Sequence, residues 1–188
     1  MHGRWFAALL LVTQLSGCAG LLMAGAVGGA VVANDRRTLG SQIDDHALEV
    51  KMASAIREHD DLADQTRISA ISMNRQVLLV GQVPNRMLHD KAIKVLKELD
   101  EVEVLHDQLR RGTPIGLGIS SQDSWITTKV KSRMFSDGEL DAMRIKVITE
   151  NGEVFLLGLV DQEEANQAVE IARTTAGVRK VVKVFEYR

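Results

Sequence analysis

The most reactive side chain in the sequence is the thiol of Cys18, the only cysteine in the chain. It ends an N-terminal segment in which Arg4 precedes an apolar run at 5–15 and small residues follow. A basic start, a short apolar core and a small-residue end are typical of a secretory signal. A lone cysteine cannot form a disulfide within the chain, so the protein must be stabilised by its apolar core.

Other side chains that could perform catalysis or bind a metal are present but not grouped. The histidines after residue 18 lack a His-x-x-x-His spacing, and no second cysteine can complete a metal site with them. Ser120 and Ser121 lie outside a nucleophile elbow, and no glycine-rich phosphate loop precedes a predicted helix. We therefore predict no enzyme, no catalytic residue, no metal and no noncovalent cofactor. The histidines are His46, His59, His89 and His106.

The segment Leu15-Ser16-Gly17-Cys18 resembles a bacterial lipobox. The resemblance implies that residues 1–17 are a lipoprotein signal peptide and that Cys18 carries a diacylglycerol and an N-acyl lipid. Because one acyl chain anchors only marginally, two or three make the attachment effectively permanent. Ala19, rather than Asp, follows the cysteine. By analogy with enterobacterial sorting, this implies the outer membrane, with the protein facing the periplasm.

An uncleaved membrane helix is the alternative, because no charged residue lies between Trp5 and Asn34 and that length could cross a bilayer. The lipobox and many glycines interrupt this stretch. We interpret residues 18–43, rich in Gly and Ala, as the lipidated cysteine and a tether; a short helix packed on the protein is the alternative. A flexible tether of about 25 residues spans about 25–30 Å, which keeps the folded part near the membrane.

One segment of the chain occurs twice. VLLVGQV at 77–83 matches VFLLGLV at 154–160, and the likeness extends through the elements before and after these strands. The chain is therefore a tandem repeat of one small α+β domain in which the elements follow the order αββαβ. We predict a first domain at 44–112, a linker at 113–122 and a second domain at 123–188.

Four glycines mark backbone positions of the repeat. Gly81 and Gly158 close the matching strands, where another backbone or helix is expected to pack closely. Gly152 lies in a predicted tight hairpin turn, and Gly177 can end a helix in a left-handed conformation. We predict that all four have structural roles.

The two matching strands, TPIGLG at 113–118, DSWITTKV at 123–130 and TENGEVFLLGLV at 149–160 resemble the BON domain family. The resemblance covers almost the whole chain and implies two tandem BON domains, each a small mixed sheet with two helices on one face. For an outer-membrane lipoprotein with two such domains, it further implies phospholipid binding, envelope integrity, enrichment at division sites, and links to cell-wall amidase activation and outer-membrane protein assembly. The first domain departs from the pattern at Asn74-Arg75 and Glu101, which predicts a weaker hairpin turn and helix stop there.

The first helix of the second domain carries the predicted lipid contact. Beside its apolar core face, Trp125, Lys129 and Arg133 form a stripe four residues apart. An indole next to cations suits a membrane interface with anionic headgroups. We predict that this face binds phosphatidylglycerol or cardiolipin; the alternative is that Trp125 packs on the sheet edge or the linker. The predicted phospholipid-binding residues are Trp125, Thr128, Lys129, Lys131, Ser132 and Arg133.

Composition limits the remaining partners. The net charge is -2 and the pI is about 6.2, so there is no basic excess and nucleic acid is not a predicted partner. A periplasmic adaptor is the competing function, because small sheets have edges to which a strand of an envelope protein partner can add.

Overall fold

The computed structural model of the chain describes residues 39–188. The predicted signal peptide, Cys18 and most of the predicted tether lie outside the described residues. Arg36–Arg188 form one compact unit. Within the described part, no helix combines the length and the apolar character that a bilayer crossing requires.

Each repeat contains helices and a three-stranded sheet. The first domain comprises α1 (Leu39–Arg57), α2 (Asp60–Gln65), β1 (Arg67–Met73), β2 (Gln76–Val83), α3 (Arg86–Lys97) and β3 (Val104–Arg111). The second comprises α4 (Leu117–Asp137), a 3₁₀ turn (Ala142–Arg144), β4 (Lys146–Glu150), β5 (Glu153–Val160), α5 (Gln162–Arg173) and β6 (Lys180–Tyr187). The predicted order αββαβ is confirmed, with the short helix α2 added in the first domain and the 3₁₀ turn added in the second.

Both sheets have the same mixed topology. The strand orders are β1-β2-β3 and β4-β5-β6, so the second strand of each repeat is central. It pairs antiparallel with the first strand and parallel with the third. A parallel neighbour needs a crossover connection, and the second long helix of each repeat supplies it.

The central strands are buried on both faces. Val77, Leu79 and Val83 belong to the core beneath the helices of the first domain. Leu78 and Val80, which alternate with them, pack against Phe155 and Leu157 of the second domain. Each sheet therefore carries its two long helices on one face, and the two opposite faces meet in an apolar layer between the domains. This double burial explains why both central strands are almost continuously apolar.

Polar contacts surround the interdomain layer. Arg110 donates to both carboxylate oxygens of Glu153, at 3.2 and 2.7 Å, and Lys146 Nζ lies 2.8 Å from Glu49 Oε1. The hydrogen bonds from Arg110, in a partly buried setting, hold the pKa of Glu153 below its ordinary value. These pairs join residues of different domains at the border of the apolar layer.

The two hairpins have the same turn geometry despite their different sequences. Asn74 and Arg75 have φ angles of 51° and 59°, and Asn151 and Gly152 have 49° and 72°. A buried aspartate of the preceding helix accepts hydrogen bonds from both turn amides: Asp45 at 2.8 and 3.1 Å in the first domain, Asp123 at 2.6 and 2.7 Å in the second. The turn of the first domain is thus formed with an arginine in the left-handed region, because Asp45 satisfies its backbone.

Two helices extend beyond the predicted domain bounds. Helix α1 begins at Leu39, inside the predicted tether, and α4 begins at Leu117, so only 113–116 connect the domains. The sequence GLGISSQ at 116–122 has low helix propensity, because glycine and serine disfavour a helix. Contacts with the rest of the protein, rather than local propensity, make it helical.

The matching strand glycines allow a close backbone approach in each domain. A Cβ atom at Gly81 would lie 1.8 Å from the carbonyl oxygen of Arg67, and one at Gly158 would lie 2.7 Å from that of Arg144. Gly81 also has a φ of 129°. Any larger residue must therefore displace the backbone that leads into the first strand.

We expect Gly158→Val to lower the free energy of unfolding by about 3 kcal/mol or more, because the clash is with backbone that cannot move freely. Chemical denaturation followed by circular dichroism measures this. Gly112→Val is the matched control, since a Cβ there meets nothing within 4 Å. Equal stability of the two variants would contradict the structural role of Gly158.

Candidate phospholipid-binding face of the second domain

Helix α4 has one buried face and one strongly exposed face. Ile126, Val130 and Met134 are buried in the core of the second domain. On the other side, the side chains of Leu117, Trp125 and Phe135 are 87%, 63% and 58% exposed. Leu117 and Phe135 are 18 residues, or five turns, apart, so they point in the same direction about 27 Å from one another. Trp125 lies between them, about 80° around the helix from their common direction.

Three hydroxyl groups on this face donate to carbonyl groups of the preceding helical turn. Ser124 Oγ donates to the carbonyl of Ser120 at 3.0 Å, and Thr128 Oγ1 donates to the carbonyl of Ser124 at 3.0 Å. Ser136 makes the same contact with Ser132. A hydroxyl that already donates to the preceding turn has a smaller free-energy cost of transfer out of water. The exposed face is therefore less polar than its serine and threonine content suggests.

Two of the predicted lipid-binding cations are bound to the neighbouring helix. Lys129 Nζ donates to the carbonyl of Ala176, and Arg133 Nη1 donates to the carbonyl of Ile171 at 2.9 Å and to Thr175 Oγ1 at 2.8 Å. These acceptors lie in the last turn of α5 or up to three residues beyond its end, where carbonyl groups lack helical partners and the helix dipole is negative. The predicted stripe therefore joins side chains in different settings: the indole of Trp125 is exposed, whereas both cationic side chains donate to groups at the end of α5.

Lys131 is the predicted cation that stays available. It is exposed and makes no hydrogen bond or ion pair with any residue of the described range 39–188. Residues 124–136 include no acidic side chain. Asp123, directly before them, is buried against the hairpin turn. Within 124–136 the face thus combines large apolar side chains with a positive charge, and the next carboxylate, Asp137 at the end of α4, accepts a hydrogen bond from Gln167.

The equivalent helix of the first domain offers a different surface. Ala47 occupies the position of Trp125, and Arg57 that of Phe135. Lys51, which corresponds to Lys129, forms an ion pair with the side chain of Glu101 instead of a backbone carbonyl. Asp44 and Glu49 add negative charge nearby. The two repeats therefore share a scaffold but not this face.

The structure gathers no catalytic group on this face, and none of the described residues form a cluster of three His, Cys, Asp or Glu that could hold a metal. His89 contacts Asp90 at 3.1 Å and Asp107 at 2.8 Å in the first domain. The hydrogen bond from His89 is the main reason why the pKa of Asp90 is lowered. This pairing links α3 to β3 and leaves no side chain in a nucleophile–base arrangement with His89.

Sequence reasoning missed Leu117 and Phe135 as members of the exposed face. Leu117 was placed in the linker, and Phe135 follows the core residue Met134 directly. The signal that could have found them is their spacing of five complete turns, which is visible only once α4 is known to begin before residue 118.

Comparison with known proteins agrees with this architecture. The BON domain family matches residues 44–112 and 122–188. The chain is 45% identical to the outer membrane lipoprotein DolP of Haemophilus influenzae over 173 residues, which are 92% of this chain and 90% of the relative. It is 40% identical to a 21 kDa hemolysin of Actinobacillus pleuropneumoniae, covering 81% and 79% of the two chains. It is 29% identical to the osmotically-inducible protein Y of Escherichia coli, covering 81% and 77%.

The two family matches coincide with the two folded repeats, and the similarity to the lipoprotein relative covers nearly the full length of both chains. The chain is therefore a member of the BON domain family, of the dual-domain DolP type.

Proposed function

We propose that this protein is a non-enzymatic, lipid-anchored outer-membrane lipoprotein facing the periplasm, whose second domain binds anionic phospholipid through α4. The observation that carries the proposal is the acid-free exposed face that presents Leu117, Trp125 and Phe135 together with Lys131. The anchor at Cys18 and the outer-membrane location are supported by the lipobox-like sequence and by the relative named as an outer membrane lipoprotein.

The shape of the face favours binding parallel to the membrane plane. An amphipathic helix of this kind buries its apolar side chains at the boundary between headgroups and acyl chains. Indole rings are favoured at that depth, where one edge is apolar and the other meets polar groups. Leu117 and Phe135, about 27 Å apart, define a line of contact along the helix rather than insertion of one end.

Charge supplies the preference for anionic lipid. A lysine close to a negatively charged leaflet contributes about 1 kcal/mol. Lys131 can supply this contribution without breaking a contact within residues 39–188, whereas Lys129 and Arg133 would first have to leave α5. Phosphatidylglycerol and cardiolipin are the headgroup classes that this charge favours.

Anchoring makes weak headgroup affinity sufficient. A lipidated cysteine holds the domain close to its target lipid, so the second contact is effectively intramolecular. Helix α4 then orients the protein and directs it to anionic patches of the membrane. We propose that this underlies a role in envelope integrity, with enrichment at division sites.

A protein adaptor is the second candidate function, and two observations favour it. Within the described residues, the outer edges of β3 and β6 pair with no further strand. Met87 and Val104, in the first domain, are exposed apolar residues away from α4. A partner in cell-wall amidase regulation or outer-membrane protein assembly could add a strand there.

Tryptophan fluorescence of the compact unit Arg36–Arg188 tests lipid binding directly, because Trp125 is its only tryptophan. We expect a blue shift and co-sedimentation with phosphatidylglycerol vesicles, and neither with phosphatidylcholine vesicles, because the indole enters the interface only when charge favours docking. An unchanged spectrum without co-sedimentation would refute the lipid proposal and favour the adaptor.

Charge reversal at Lys131 tests the electrostatic part. We expect Lys131→Glu to weaken binding to phosphatidylglycerol vesicles by about 10- to 30-fold, since two units of charge change at about 1 kcal/mol each. Lys183→Glu is the matched control, because Lys183 is also an exposed lysine of the second domain but lies on β6. Equal loss in both variants would show that net charge, not the α4 face, governs binding.

Phe135→Ala tests the apolar part of the face. We expect about a fivefold loss of vesicle affinity, because a partly inserted phenyl ring contributes about 1 kcal/mol. Met87→Ala removes an exposed apolar side chain of the first domain and should leave affinity unchanged. Vesicle titration of both variants by Trp125 emission provides the measurement, and wild-type affinity in Phe135→Ala would remove Phe135 from the site.

A further inference from the structure

The beginning of α4 lacks local stabilisation. Its N-cap is Gly116, which provides no side-chain cap, and its first turn contains no acidic residue. Helix α5, by contrast, begins with a complete capping box formed by Asp161 and Glu164. Glycine and serine fill most of positions 116–121, and short helical ends with such composition are marginal in water. Something outside the helix must hold these turns.

The first domain supplies those contacts through a partly buried polar cluster that we call the Glu150 hub, made of Arg67 and Gln82 of the first domain and Glu150 of the second. Arg67 Nε donates to Glu150 Oε1 at 3.1 Å, and Gln82 Nε2 donates to the same oxygen at 2.9 Å. Glu150 is 8% exposed and Gln82 is 4% exposed. Charge-assisted hydrogen bonds of this kind are strong when they are shielded from water.

The hub reaches both sides of the α4 N-terminus. Arg67 Nη2 donates to Ser120 Oγ in the first turn of the helix at 3.3 Å. The backbone N–H of Ile115, one residue before the N-cap, donates to Gln82 Oε1 at 3.1 Å. Two residues of the first domain therefore fix the chain immediately before and immediately after the start of α4.

The same hub holds the strand end on which α4 rests. Glu150 is the last residue of β4, and the next two residues give their amides to Asp123 of α4. Thr149, just before Glu150, shares a hydrogen bond of 2.7 Å with Thr127 of α4. Displacement of Glu150 would thus be transmitted to the second and third turns of the helix.

We infer that the first domain positions the membrane-binding helix of the second, with Arg67 and Gln82 as the positioning residues. The inference rests on the proposed function of α4 as the lipid contact. It assigns the first domain a role in lipid binding without any lipid contact of its own. Leu117, the most exposed apolar residue of the face, lies in the turn that the hub stabilises.

The test compares Arg67→Ala, Gln82→Leu and the milder Ser120→Ala in the compact unit Arg36–Arg188. Arg110→Ala is the matched control, since it removes an interdomain pair, with Glu153, that touches no residue of α4. Hydrogen exchange of the amides at 117–122 is measured without lipid, below the melting temperature of every variant. We expect exchange at least about tenfold faster in the hub variants and unchanged exchange in the control.

Affinity for phosphatidylglycerol vesicles is the second measurement. We expect the hub variants to bind about three- to tenfold more weakly, because part of the binding free energy must then order the first turns of α4. The control should bind like wild type. A purely structural role of the hub would lower the melting temperature without changing exchange at 117–122 or affinity at low temperature, and that result would overturn the inference.

The two proposals fail in different ways. If wild-type protein does not bind the vesicles, the lipid function fails, and the lipid-free exchange rates alone decide whether the first domain holds α4. If Arg67→Ala or Gln82→Leu does not fold, Ser120→Ala decides, because it removes one hydrogen bond at a partly exposed site. Wild-type exchange in Ser120→Ala and in every folded hub variant would contradict the inference.

Discussion

The apolar layer between the two sheets is the contact on which the rest of the structure depends. Ile71, Leu78 and Val80 of the first domain pack there against Phe155 and Leu157 of the second. Without this layer each sheet would expose one apolar face to water, which small soluble domains avoid. The layer therefore joins the two repeats through a shared apolar core. It also brings the ends of β1, β2 and β4 together, where Arg67, Gln82 and Glu150 form their partly buried cluster.

The two repeats share one scaffold but present different surfaces. The hairpin aspartates Asp45 and Asp123 are in equivalent positions and make equivalent contacts. The lysines at 51 and 129 are equivalent as well, but one binds a glutamate side chain and the other a backbone carbonyl. Only the second repeat places aromatic side chains on the outer face of its first helix. The scaffold is thus maintained by buried residues, and the function that we propose resides in a few exposed positions.

Periodicity and repetition in the sequence were sufficient to predict the αββαβ order and the core face of α4, because Ile126, Val130 and Met134 recur every four residues. The start of α4 could not be predicted in the same way. Residues 117–122 are helical through contacts with Arg67 and Gln82, which are distant in sequence and leave no local signal. The orientation of the Lys129 and Arg133 side chains could not be predicted either, because their acceptors lie about 40 residues later, around the end of α5. Side-chain spacing defines the faces of a helix, but the elements packed beside it decide which charges stay available.

The aspartate clamp on each hairpin has a consequence for how the protein folds. The turn amides of each domain are bonded to a carboxylate 28 to 30 residues earlier in the chain. Asn151-Gly152 can form its turn from local preference, whereas Asn74-Arg75 has no such preference at its second position. In the first domain, the hairpin and the helix that carries Asp45 must therefore become ordered together. Both repeats have this long-range contact, but only the second also has a turn sequence that favours the hairpin locally. We therefore expect the two halves of a nearly symmetric protein to form their hairpins by different routes.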